Sequence, residues 1–128
     1  MIYLCLDPGR SHTGVAISYE GTLAIPLTTL HTSSLEALLH ALSPLITTHR
    51  PDVLVIGQPQ TGPIHQLALD LSSALRADDH SVVLAPEDGT SLRSQTLLTA
   101  HRSPLKRKLN AHQAAAALIL QHYLDNLE

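Results

Sequence analysis

Asp7 is the residue whose type and position are best suited to chemistry. It closes the apolar run Ile2 to Leu6, and a carboxylate at the end of a central strand projects where open α/β sheets place their sites. The same residue also reads as a turn former before Pro8-Gly9. The neighbouring residues favour the first reading. Gly14-Val15-Ala16 returns as an adjacent strand, so Asp7-Pro8-Gly9 opens a hairpin whose small residues admit close approach of a backbone or a phosphate.

A second feature is a segregated charge. The 128-residue chain carries a net charge of −3, which argues against a general nucleic-acid binder. Residues 1–88 hold three Arg against nine Asp or Glu, a net of −6, whereas Gly89 to Leu124 holds Arg93, Arg102, Lys106, Arg107 and Lys108 and no acid, a net of +5. Such a stretch can contact phosphates locally while the rest repels them. It also fits a solvated loop near a helix end. Of the nine histidines, His31, His40, His49, His65 and His80 fall in expected loops or on helix faces without metal-ligand spacing.

Elements that would position these groups can be read from the apolar pattern. Ile2 to Leu6 suits a strand buried on both faces. Gly14 to Ser18 and Thr22 to Leu30 come next as strands two and three of an antiparallel meander. Ser33 and Ser34 can cap a helix with apolar positions Leu35, Leu38, Leu39, Leu42 and Ile46, which Pro44 should kink or divide. Then come a strand at Asp52 to Gly57, a helix marked by Ile64, Leu67, Ala68, Leu71 and Leu75, and a strand at Ser81 to Ala85. That alternation implies parallel pairing. A helix over Thr90 to Ala100 and a basic connector lead to a last helix. Asn110 can cap it, and Ala115, Ile119, His122 and Tyr123 share a face with His112. The sum is an α/β fold: a five-stranded mixed sheet covered by helices.

Composition sets the outer bounds. With 44% hydrophobic residues, no Phe or Trp and three Tyr, one domain over residues 1–128 can bury a core of Leu, Ile, Val and Ala. The single Cys5 excludes an internal disulfide framework and a cysteine zinc cluster, and suits a reducing compartment. Met1 to Leu6 is too short for a signal-peptide core or a membrane span. A cytoplasmic location without membrane partners is expected.

The stretch Leu6-Asp7-Pro8-Gly9-Arg10-Ser11-His12-Thr13-Gly14-Val15-Ala16-Ile17-Ser18 resembles the first motif of the YqgF (RuvX) family, relatives of the junction resolvase RuvC. Three more segments occur in the family's order: Val55-Ile56-Gly57-Gln58-Pro59, Glu87-Asp88-Gly89-Thr90-Ser91, and Ala114-Ala115-Ala116 with Leu118 to Leu124. The resemblance spans nearly the whole chain. Four departures accompany it. The family usually has Arg at the position of His12, a longer loop after Pro59, Asp-Glu where this chain has Glu87-Asp88, and Asp where it has His112.

The resemblance implies an RNase H-like fold with helices on both sheet faces, and metal-assisted hydrolysis of phosphodiester bonds. Two divalent ions, Mg²⁺ or Mn²⁺, would need oxygen ligands. Asp7 would bridge them, Glu87 or Asp88 would hold one, and His112 would ligate through neutral imidazole or move a proton. Catalysis would fall to Asp7, Glu87 and His112. Arg10, His12, Arg93, Arg102, Lys106, Arg107 and Lys108 would contact the nucleic-acid backbone without reading sequence. Without Phe or Trp, recognition would rest on shape and charge rather than base stacking. The implied substrates are a four-way DNA junction or the precursor of small-subunit ribosomal RNA. Junction cutting would call for a homodimer. Two rivals remain. One is a non-catalytic member that binds nucleic acid or ribosome-assembly intermediates, motivated by the missing C-terminal Asp. The other is a phosphotransferase of the actin and sugar-kinase type, which would need two such halves around a cleft.

Overall fold

A computed structural model describes residues 1–59, 62–86 and 104–127, with the backbone alone over 104–110. Glu87, Asp88, Arg93 and Arg102, and the helix expected over Thr90 to Ala100, lie outside the described residues. Strands β1 (Tyr3–Asp7), β2 (His12–Ser18) and β3 (Ile25–His31) are succeeded by helix α1 (Leu35–His49), strand β4 (Val53–Gln58), helix α2 (Pro63–Ala77), strand β5 (Val82–Pro86) and helix α3 (Pro104–Asp125). The strands form one sheet in the order β3-β2-β1-β4-β5. β1 pairs antiparallel with β2 and parallel with β4, β2 antiparallel with β3, and β4 parallel with β5.

β1 is the middle strand, and all five of its residues are buried, as a continuous apolar run requires. Side chains alternate between the faces. Leu4 and Leu6, with Val15, Ile17, Leu54 and Ile56, pack under α1 (Leu38, Leu42) and α2 (Ala68, Leu71, Leu75). Tyr3 and Cys5, with Ala16, Val55 and Ala85, pack under Ala116, Ile119, Leu120 and Leu124 of α3. Helices therefore cover both faces. The alternation places Asp7, two residues beyond Cys5, on the α3 side.

Local chemistry sets the helix ends. Ser34 Oγ accepts the Ala37 amide at 3.1 Å and caps α1, satisfying one of its unpaired first-turn donors. Arg50 closes α1 in the left-handed region at φ 49°, its amide donating to the Ile46 carbonyl at 2.8 Å. α2 starts with Gly62 at φ 91° and then Pro63, a proline that the first helical position tolerates.

Two expectations about the helices change. α1 runs unbroken through Pro44. Pro44 and His40, whose carbonyl loses its donor, are both exposed. Water can meet that carbonyl while Leu38 and Leu42 hold the opposite side. α3 begins at Pro104 rather than at Asn110, so Asn110 is interior and Lys106, Arg107 and Lys108 belong to the helix instead of a connector. A proline preset for the first helical turn starts it earlier than an Asn cap would. Among the described residues no helix is long and apolar enough to cross a membrane.

Candidate active site

Asp7 ends the central strand with 2% of its surface exposed. Glycines flank it on both neighbouring strands. On β2 the register sets Asp7 opposite Gly14. On β4, Leu6 pairs with Ile56, which brings Gly57 beside Asp7. A Cβ on Gly57 would lie 3.8 Å from Asp7 Oδ1 and 2.9 Å from Ile119 Cδ1. A Cβ on Gly14 would run into the backbone carbonyl of His112 and reach within 2.9 Å of the Gln113 amide nitrogen. The close approach that the small residues permit is thus made by the backbone of α3. It rests on β2 at the residue facing Asp7.

α3 is held in that position by side-chain bonds. Thr29 Oγ1 donates to Gln113 Oε1 at 3.3 Å. Two turns further on, Gln121 Oε1 accepts the Ala24 amide at 2.9 Å, and Gln121 Nε2 donates to the Thr22 carbonyl at 2.9 Å and to Asp125 Oδ1 at 3.0 Å. The helix is fastened to β3 at Thr29 and to the β2–β3 connection at Thr22 and Ala24. Its buried side is Ala115, Ala116, Ile119, Leu120 and Leu124, with Tyr123 partly buried and 6.1 Å from Tyr3 between ring centroids. His122, expected on this side, is exposed.

The ring of His112 stacks on that of His12 with centroids 4.8 Å apart and planes 5° from parallel. His12 in turn meets His31 edge-on at 4.7 Å and 76°, and its Nδ1 lies 2.9 Å from Ser11 Oγ. His31, expected in a loop, instead ends β3 and pairs with His12 across the sheet. The register shift between Val15 and Ala16 sets that pairing, and residue spacing alone does not reveal a bulge. Arg10 is exposed in the β1–β2 turn. Gly9 and Arg10 line a shallow depression with Thr32, Ser33, Ser34, Leu38 and Leu67, on the α1–α2 side rather than with Asp7. His65 has a structural role: its Nδ1 lies 2.8 Å from the Pro59 carbonyl oxygen, tying α2 to the end of β4.

The fold therefore brings the rings of His12, His31 and His112 into contact and sets the backbone of His112 over Gly14, the residue facing Asp7. It leaves Arg10 on the other side of the sheet. Asp7 contributes oxygen donors and His112 an imidazole nitrogen, both of which divalent cations accept. Among the described residues, no group of three or more His, Cys, Asp or Glu that could hold a metal ion comes together. Asp7 and His112 thus fit part of a donor set.

Known proteins similar to this chain are named as resolvases or nucleases. A family model described as "RuvX: Holliday junction resolvase" matches residues 1–126. A protein of Chloroflexus aurantiacus named "Putative pre-16S rRNA nuclease" is 34% identical, covering 97% of this chain and 86% of the relative. One of the same name from Thermoanaerobacter pseudethanolicus is 33% identical over 94% of each chain. Among solved structures, T. thermophilus RuvC in complex with Holliday junction substrate superposes with a TM-score of 0.62 at 16% identity, covering 97% of this chain and 94% of that one. At that identity the likeness concerns the fold, which is the RNase H-like fold of RuvC.

Proposed function

The chain belongs to the RuvX family, and we propose that it is a divalent-metal-dependent endonuclease acting on the precursor of small-subunit ribosomal RNA. The observation that carries the chemistry is the buried carboxylate of Asp7 at the end of β1, with His112 of α3 seated over the neighbouring Gly14. The names of relatives 33–34% identical along nearly the whole chain favour the RNA substrate. A four-way DNA junction is the second reading, favoured by the family's own description. It would require two copies to make two symmetric cuts.

Asp7, His112 and one of Glu87 or Asp88 would hold the metal. A divalent cation supplies activation of water and neutralisation of charge on the phosphate when bound. Asp7 contributes a buried carboxylate carried on a backbone fixed by strand pairing. His112 contributes a nitrogen that either ligates or moves a proton at the same place. Lys106, Arg107 and Lys108 precede His112 by four to six residues on the same helix. At 1.5 Å per residue that is about 6–9 Å along the axis, close enough to bind the phosphates flanking the scissile one.

The test is cleavage of labelled precursor-type RNA and four-way junction with Mn²⁺ or Mg²⁺, comparing wild type with Asp7→Asn. Metal-dependent cutting of the RNA that Asp7→Asn abolishes is the expected result. Preferential cutting of the junction replaces the substrate and keeps the chemistry. Salt-sensitive binding without any cutting would replace the nuclease with a binding protein.

A further inference from the structure

His12 makes three contacts that the proposed catalytic roles do not use. A histidine ring on a helix can turn about a broad torsion, and the ring of His112 lies parallel on the face of His12. His12 is itself held. Ser11 Oγ is at hydrogen-bond distance from its Nδ1, His31 presses against it edge-on, and the Ser11 carbonyl accepts the Thr32 amide at 3.2 Å, which ties the turn to the end of β3. The turn is also closed from within: a Cβ on Gly9 would lie 2.5 Å from the His12 carbonyl oxygen. A ring fixed by β2, β3 and the turn thus backs a ring carried on α3. Nothing in this arrangement requires His12 to touch a phosphate, the part its position alone suggests.

We propose that His12 is a positioning residue, whose stacked ring helps fix the plane of the His112 imidazole. The assignment rests on the reading of His112 as an active-site group, but the stack can be tested without it. Its requirement is a flat aromatic surface at residue 12, not an imidazole nitrogen. Stacking depends on the face of the ring, whereas metal ligation or a phosphate contact depends on the nitrogens.

The experiment compares His12→Ala, His12→Gln and His12→Phe, with His112→Ala alongside, by two readouts. The first is the proton and carbon shifts of the His112 ring in the metal-free protein, which report the ring current of residue 12. They should move to those of an unstacked ring in the Ala and Gln variants and remain displaced in Phe. The second is cleavage. The Ala and Gln variants should lose kcat by about tenfold with KM little changed, as expected for a misplaced catalytic group, and Phe should recover most of it. Circular dichroism on each variant excludes unfolding as the cause. Unchanged His112 shifts in His12→Ala would overturn the proposal. So would a Gln variant that works where Phe fails, or a loss carried wholly by KM. If His112→Ala cuts like wild type, the role given to His112 fails, while the shifts still decide whether the stack exists.

Discussion

At Asp7, packing and chemistry make the same demand. Glycines stand beside it at residues 14 and 57, yet the two are not equivalent. A methyl at 14 meets backbone, and one at 57 meets the movable end of Ile119. Gly14→Ala should therefore cost about 2–3 kcal/mol, at the upper end of overpacking, and push α3, with His112, away from β2, whereas Gly57→Ala should cost about 1 kcal/mol. Urea denaturation checks the order; equal effects would mean that α3 does not rest on Gly14. Asp7 is legible in the sequence because a buried run ends on it. His112 is legible only through the family resemblance, since one histidine on a helix has no spacing to identify it. The partnership of His31 with His12 is not legible, because cross-strand partners depend on a register that a bulge shifts. The two positions that stack, 12 and 112, are also two at which the chain departs from the family's usual residues.

Among the elements, α3 decides whether the site exists. Its apolar positions are readable from their spacing, but its start is not: Asn110 and the basic run resemble a cap and a connector, and Pro104 starts the helix earlier. The longer helix carries the basic residues on the same element as His112. Its anchor near the far end is Gln121, which bonds the β2–β3 connection at Thr22 and Ala24. Gln121→Ala should destabilise by about 1–2 kcal/mol, the net worth of a few partly exposed hydrogen bonds. It should also speed hydrogen exchange at the Ala24 amide. Unaltered exchange there would show that Gln121 does not hold the connection. The parallel strands are the easiest to read, because strand, helix and strand alternate with few other arrangements open to them.

For the whole molecule, the sheet's two faces have different roles. The α1–α2 side holds most of the large aliphatic core, and the α3 side has a smaller core and carries the candidate site. Charge is divided likewise along the chain, with all of the net positive charge after residue 88. Replacing Lys106, Arg107 and Lys108 together by Ala should weaken nucleic-acid binding and reduce the slope of log affinity against log salt by about 2–3. An unchanged slope would remove them from the interface. The fold's main effect is to seat the last helix on β2 at Gly14, the residue facing Asp7 of the first strand, and the nuclease assignment depends on a metal site there. Titration calorimetry with Mn²⁺ on wild type and Asp7→Asn, both shown folded, tests this most directly. The wild type should bind the ion and Asp7→Asn should not; equal binding by the two proteins would contradict the assignment.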